Sequence, residues 1–299
     1  MRVTRLTWIV PALAVSGCAT TYNAKWDEKP VAAAAAATAP TEADATQALQ
    51  AKADALWAKR SDKQGLVEAI AAYEQLAEKA PSADLFAKLS RAHYLLADGF
   101  YALEGNAAER DAGYQKGLDW ATRSLKAAAP AFAEAMAAGK KHPEAIQLAG
   151  KEAVPGMYWY ATNLGKWAAS KGFATRLRYK DDAKSTMEQV QKLDAGYFYS
   201  APLRYFGSFE ALTSGIAGGS LVKSEENFKQ AVAAAPNYLG SKVLWADYLC
   251  TKKQDKETFV KLLNEVISAD ANVDPEIAPE NGLEQVKAKK LLAEVEEKF

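Results

Sequence analysis

"LVEAIAAYEQLAEKAP", residues 66–81, carries the reading on which the fold turns. Leu66, Ile70, Tyr73 and Leu76/Ala77 recur at spacings of three and four, which puts them on one stripe of an α-helix. Within the run, Ala69 is followed by Tyr73, Ala77 and Pro81. The small residue lets a second helix approach, the aromatic fills the gap, and the proline forces a turn. Ser82 then supplies an N-cap for a new run, "SADLFAKLSRAHYLLADGFYAL", with Leu85, Leu89, Ala92, Leu96 and Phe100 on its stripe.

The same grammar returns near the C-terminus. In "SLVKSEENFKQAVAAAPNYLGSKVLWADYL", residues 220–249, Ser224, Phe228 and Ala231 precede a stop at Pro236. Leu239, Val243, Ala246 and Leu249 follow, and Gly218-Gly219-Ser220 reads as a turn with an N-cap. "AGYQKGLDWATRSLKAAAP", with Tyr114, Gly117, Ala121 and Pro130, is a looser copy. The last helix, roughly 282–298, sets Leu283, Val286, Lys290 and Ala293 on one side. The pattern looks like the second helix of a tetratricopeptide repeat feeding the first helix of the next. β-branched residues are sparse and never alternate, so the expectation is all-α: an α-solenoid of degenerate tetratricopeptide-like repeats over 45–299.

The N-terminus decides the compartment. In "MRVTRLTWIVPALAVSGC", Arg2 and Arg5 are a basic start and Leu6 to Val15 an apolar run, too short to span a bilayer but right for an export signal. Val15-Ser16-Gly17-Cys18 resembles a bacterial lipobox. The expectation is a signal peptide over 1–17, with Cys18 lipidated and anchoring the chain in the bilayer. Ala19 follows, without the Asp associated with inner-membrane retention, which favours the periplasmic face of the outer membrane. Residues 18–44, with Ala32 to Ala37 between Pro30 and Pro40, read as a tether. Such a stretch reaches on the order of 25–30 Å when flexible.

Lys plus Arg equals Asp plus Glu at 37 each, so the basic excess of a nucleic-acid binder is missing. No second long apolar run follows the signal. Once Cys18 is lipidated, Cys250 has no internal disulfide partner and reads as a buried small hydrophobe. His93 and His142 stand in no metal-ligand spacing. "GIAGGS" lacks the Lys-Ser/Thr ending of a phosphate loop, and no Gly-x-Ser-x-Gly elbow occurs. His93 reads as a packed histidine rather than a general base. No catalytic residue, metal or cofactor is expected.

The middle of the chain breaks the repeat. "MYWYATNLGKWAASKG", residues 157–172, holds a small-residue stripe of Ala161, Gly165, Ala168/Ala169 and Gly172 that permits close helix contact. Tyr158, Trp159 and Tyr160 fan around the helix, while Trp159, Asn163 and Trp167 lie near one line. Two readings stand. In one, Asn163 bonds a neighbouring helix and the aromatics are core. In the other, Asn163 points into a cavity walled by Tyr158, Trp159 and Trp167, suited to a ligand with apolar faces and a polar handle.

These stretches resemble the T-component (TatT) proteins associated with TRAP-type (tripartite, ATP-independent, periplasmic) transporters. The resemblance rests on 157–172, on "LRYFGSFEAL" (203–212), "GGSLVKSEENFKQAV" (218–232), "APNYLGSKVLWADYL" (235–249), "FVKLLNEVISAD" (259–270) and "APENGLEQVKAKKLLAE" (278–294). It covers most of 45–299 and implies a periplasmic lipoprotein with cryptic repeats around a central cavity, in some members a homotrimer. The implied partner is the transporter's solute-binding protein, with passage of a small organic ligand through the cavity. No catalytic motif is implied.

"DAGYFYSAPLRYFGSF", residues 194–209, sets Arg204 among Tyr197, Tyr199, Tyr205 and Phe206. An Arg so placed can stack on rings, grip a carboxylate, or satisfy carbonyls at a helix end. TRAP systems typically move organic acids, so Arg204, Tyr205 and Phe206 join the candidate cavity lining. Arg176 and Arg178 read more weakly, as members of a solvated charge-rich loop. Two alternatives remain: a lipoprotein scaffold that grips proteins in envelope assembly, marked by an open concave groove, and an enzyme, marked by carboxylates or a His converging in a cleft.

Overall fold

The structure is a computed structural model, and it describes residues 19–28, 40–215 and 218–299. The signal peptide and Cys18 lie outside the described residues. Among the described residues the fold is all-α, with one isolated bridge, Ser214 to Gly219. In order, the helices are α1 (Pro40–Trp57), α2 (Lys63–Lys79), α3 (Ala83–Leu95), α4 (Ala107–Ala128), α5 (Pro130–Ala137), α6 (His142–Ala145), α7 (Val154–Ser170) and α8 (Phe173–Leu193). There follow α9 (Tyr197–Thr213), α10 (Leu221–Ala234), α11 (Gly240–Leu244), α12 (Thr251–Lys253), α13 (Lys256–Ser268), α14 (Ala278–Ala293) and α15 (Val295–Lys298). Two π-helical stretches extend the series, Leu96–Tyr101 after α3 and Trp245–Cys250 after α11.

Successive helices pack as hairpins, α1 on α2, α3 on α4, α7 on α8 and α9 on α10. The stop signal works as the sequence implies. Ala80, Ala129 and Ala235 each precede a proline and close their helix at φ/ψ of −134°/67°, −133°/69° and −141°/70°. Proline bars the helical basin to the residue before it, so three unrelated stretches end in one geometry. Ser82 and Ser220 cap α3 and α10 through their side chains. Tyr73 and Phe228 are fully buried. The last helix departs from expectation: α14 ends at Ala293, and Val286 is exposed while Leu283 is buried.

A second device repeats that the pattern did not reveal. A buried serine on one helix donates to a glycine carbonyl on its partner, Ser90 to Gly117 and Ser224 to Gly207, each at 2.6 Å. Both bonds demand that the backbones nearly touch. A Cβ on Gly207 would come to 2.9 Å from the Phe228 ring, and one on Gly117 to 2.7 Å from Asn163 Cγ.

The tether expectation is corrected for residues 19–28, which lie against the body. The Thr20 amide donates to Thr175 Oγ1 at 2.9 Å and the Tyr22 amide to the Tyr179 hydroxyl at 2.6 Å. The Tyr22 hydroxyl donates to Asp119 at 3.0 Å, and its ring packs edge-on against Trp167. Trp26 packs against Phe132, and the Lys126 ammonium donates to the Lys25 and Glu28 carbonyls. Two half-buried aromatics packed against the core help offset the entropy of ordering this short segment. Helix α1 also opens at Pro40, ahead of the expected start at 45.

Beneath this segment lies His142, stacked on Tyr160 with its Nε2 2.7 Å from the Thr186 hydroxyl. Its Nδ1 has no partner, so a proton there would be buried and unmet. Burial accordingly pushes its pKa down to about 4. His93 is buried as well, with its Nε2 3.2 Å from Glu74. Cys250 is buried and its thiol is pushed up to about 12, as befits a packing residue.

Two measurements check this account. Gly117→Ala gains helix propensity but overpacks the α4–α7 contact, with an expected net loss of about 1–3 kcal/mol in urea unfolding. For His142 the folded pKa lies below the unfolded one, so its contribution is complete above pH 6.5 and drains as pH falls toward 4. The full span is roughly 3 kcal/mol, and a His142→Gln variant should show a flatter stability profile across that window.

Candidate functional site

The curl of hairpins encloses a cavity of about 510 Å³, a volume suited to a small organic molecule. Its walls come from α3 and the first π stretch, α7, α8, α9, α11 and the second π stretch, and α14. Four of the expected lining residues reach it: Tyr158, Trp159, Arg204 and Tyr205.

Asn163, Trp167 and Phe206 do not reach it, which corrects their assignment to the wall. Four residues turn an α-helix by about 400°, so the line through Trp159, Asn163 and Trp167 drifts by some 40° at each step. Trp159 faces the cavity, Asn163 faces α3 and α4, and Trp167 faces Tyr22 and Tyr179. The Asn163 amide donates to the Ser90 hydroxyl at 3.1 Å and to the Trp159 carbonyl at 2.9 Å. This is the structural reading of the two. Phe206 is buried in the core shared by α7, α8 and α9.

The small residues of α7 also act differently than expected. A Cβ on Gly165 would meet nothing within 4 Å. Gly165 faces the cavity with Thr162, Lys166 and Ala169. Its lack of a side chain therefore leaves room for a ligand, and no helix closes on it.

Arg204 is held by a backbone no propensity rule would propose. Phe198, Tyr199 and Ser200 are three consecutive left-handed residues, with φ of 44°, 58° and 55°. Each costs about 1–2 kcal/mol relative to a right-handed turn. The turn aims two carbonyls at the guanidinium. Arg204 donates to the Tyr199 carbonyl at 2.8 Å, to the Phe198 carbonyl at 2.9 Å and to the Tyr158 hydroxyl at 3.1 Å. The guanidinium stacks over Tyr238, 4.1 Å from the ring centre. Three of five N–H groups are thus used. No Asp or Glu among the described residues pairs with this cation, although it is only 3% exposed. Arg60, the other arginine buried to this degree, is paired with Glu280.

The wall also carries a buried ion cluster that the sequence did not signal. Asp98, on the first π stretch, accepts from Lys166 at 2.7 Å, Lys287 at 2.6 Å and the Tyr114 hydroxyl at 2.8 Å. Burial works to raise the Asp98 pKa, but the two ammoniums outweigh it and hold the carboxyl far below the usual carboxylate range. Lys287 also pairs with Glu284 at 2.7 Å. A π insertion turns the helix by one residue, and here it points Asp98 inward. Around the whole wall, lysines and arginines number seven against five aspartates and glutamates, so the enclosure favours anions. Among the described residues, no group of His, Cys, Asp and Glu has metal-binding geometry.

Residues 63–299 match the family model of the TRAP transporter T-component. The chain belongs to that family. As a T-component it is associated with a TRAP transporter, and the match spans every wall of the cavity. No match to a curated protein was found. The ion cluster in this T-component is open to test. In Asp98→Asn, two ammoniums lose their carboxylate. The expected loss is about 2–3 kcal/mol in urea unfolding, below the range for fully buried pairs because both lysines touch the cavity.

Proposed function

We propose that this chain is a lipid-anchored T-component that faces the periplasm from the outer membrane, binds the solute-binding protein of its TRAP transporter, and holds a small organic carboxylate in the cavity. The carrying observation is Arg204: a buried guanidinium on the cavity wall, two N–H groups in hand, and no acidic partner among the described residues. Taking a charge out of water costs several kcal/mol unless a counter-charge is supplied. Backbone carbonyls and the Tyr238 face offset part of this, and a bound carboxylate that accepts from one of the N–H groups left on Nε and Nη1 would supply the counter-charge. Tyr158, Trp159, Phe198 and Tyr238 would cover the apolar body of such a ligand.

The volume of the cavity and its mix of aromatic and charged walls support the ligand reading over the scaffold reading. The homotrimer that the resemblance implies for some members is carried with this proposal, and light scattering on the purified chain reads it. Lipidation is read by the mass of the mature N-terminus at Cys18.

Two variants test the cavity. Gly165→Phe fills space without a clash at its first carbon, so the fold should keep its stability while carboxylate binding is lost. Arg204→Met should cut affinity for a carboxylate at least tenfold and leave affinity for the matching primary amide nearly unchanged. Titration calorimetry with a series of aliphatic and aromatic carboxylates measures both. Equal binding of acid and amide to the unaltered chain would remove Arg204 from the site. Co-purification from solubilised envelope reads the partner: recovery of a solute-binding protein supports the transporter contact, and recovery of assembly factors alone promotes the scaffold.

A further inference from the structure

Four large apolar side chains stand in solvent at one end of the molecule. Phe173 and Leu177 open α8 at 55% and 51% exposure, Leu212 closes α9 at 41%, and Val222 opens α10 at 68%. The hairpin of α8 and α9, joined by residues 194–196, brings the start of one helix beside the end of the other. Phe173, Leu177 and Leu212 also line the cavity, so this end is its mouth. A soluble surface seldom gathers half-exposed aromatics and leucines at one rim.

Two further observations say what covers the rim. The first is charge. Arg176 lies over the Phe173 ring at 5.8 Å and Arg178 over Tyr179 at 5.7 Å, while Lys171, just before α8, pairs with Asp111 at 3.8 Å. Neither arginine enters an ion pair among the described residues. Apolar side chains beside two unpaired arginines suit an interface of acyl chains and phosphate headgroups. The second is where the chain arrives. Thr20 bonds Thr175 and Tyr22 bonds Tyr179, so the N-terminal segment enters the body along the first turns of α8. Only Ala19 separates Thr20 from Cys18. Two extended residues span about 7 Å, which replaces the long tether with almost none.

We infer that this end of the molecule rests on a phospholipid surface, with Phe173, Leu177, Leu212 and Val222 at headgroup level and the cavity mouth opening onto the bilayer. The inference rests on the proposed lipid anchor at Cys18. An acyl chain attached there cannot enter a bilayer without pulling the start of α8 onto it. A carboxylate with an apolar tail could then pass between membrane and cavity without crossing water.

The test uses the full lipidated chain in vesicles of phosphatidylethanolamine and phosphatidylglycerol that carry a nitroxide lipid as quencher. A fluorophore is placed at Leu177→Cys or Val222→Cys, and at Val273→Cys as the control. Val273 is exposed, next to Asp274, which accepts from Tyr199 at the opposite end of α9. Cys250 is buried and stays unlabelled. The expected result is several-fold stronger quenching at 177 and 222 than at 273, with the two probes roughly 5–10 Å below the headgroup surface. Equal quenching at all three sites, or none at 177, on a chain whose Cys18 mass shows acylation, overturns the inference and leaves the anchor standing. A Cys18 without lipid overturns the anchor, and the inference with it, and is read by mass alone.

Discussion

Glu280 holds the two ends of the chain together. It accepts from Arg60 at 3.2 Å and from Arg91 at 2.6 Å, and it stands on α14, more than 180 residues away from both. Seven residues on, Lys287 reaches Asp98, and between them Leu283 packs into the α1–α3 core beside Gly99. A solenoid of helical hairpins has no reason of its own to close, because each hairpin needs only its neighbours. Here a single helix presents a carboxylate, a leucine and an ammonium at successive turns to the first third of the chain. The curl becomes an enclosure, and the cavity exists because of it. Breaking such buried pairs costs more than forming them returns, so the clasp is better understood as fixing geometry than as supplying stability.

Backbone irregularity concentrates around the cavity. Both π stretches contribute to its wall, Asp98 and Gly99 from one, Asp247 and Tyr248 from the other. The left-handed turn at Phe198–Ser200 lies at the same wall. Each departure exposes a group that a regular helix would direct elsewhere: a carboxylate between two lysines, and two carbonyls on a guanidinium. Strain of this kind persists only where surrounding packing over-determines it, and it is common at binding sites. The regular repeats, by contrast, lie away from the cavity in their essentials, in the Ser-Gly approaches and Ala-Pro stops that hold hairpin to hairpin.

The docked N-terminal segment joins these two themes. Tyr22 and Trp26 pack against Trp167, Tyr160 and Phe132, so several aromatics of the middle region serve to seat the chain's own beginning. A stretch read as spacer is thereby part of the fold. The same aromatic-rich helix, α7, faces the cavity on one side and this segment on another, which explains why its composition fits neither a plain core helix nor a plain surface one.

The sequence by itself determined the helices, their stops and their caps, because these depend on neighbours a few residues apart. Ala-Pro and Ser at a helix start act through local sterics and local hydrogen bonds. It also singled out Arg204, which stands among aromatics in the chain as it does in space, and left its role open between ring stacking, carbonyls and a carboxylate. Only the tertiary structure decided which aromatics face a void. The 40° drift along α7 sent Asn163 and Trp167 away from the cavity, and Gly165 became an opening because no helix packs there. The Asp98–Lys166–Lys287 cluster was illegible for the same reason: its members lie 68 and 189 residues apart, and a π insertion set their angle. Short-range rules reach one turn along the chain. The site is built from contacts that span nearly the whole of it.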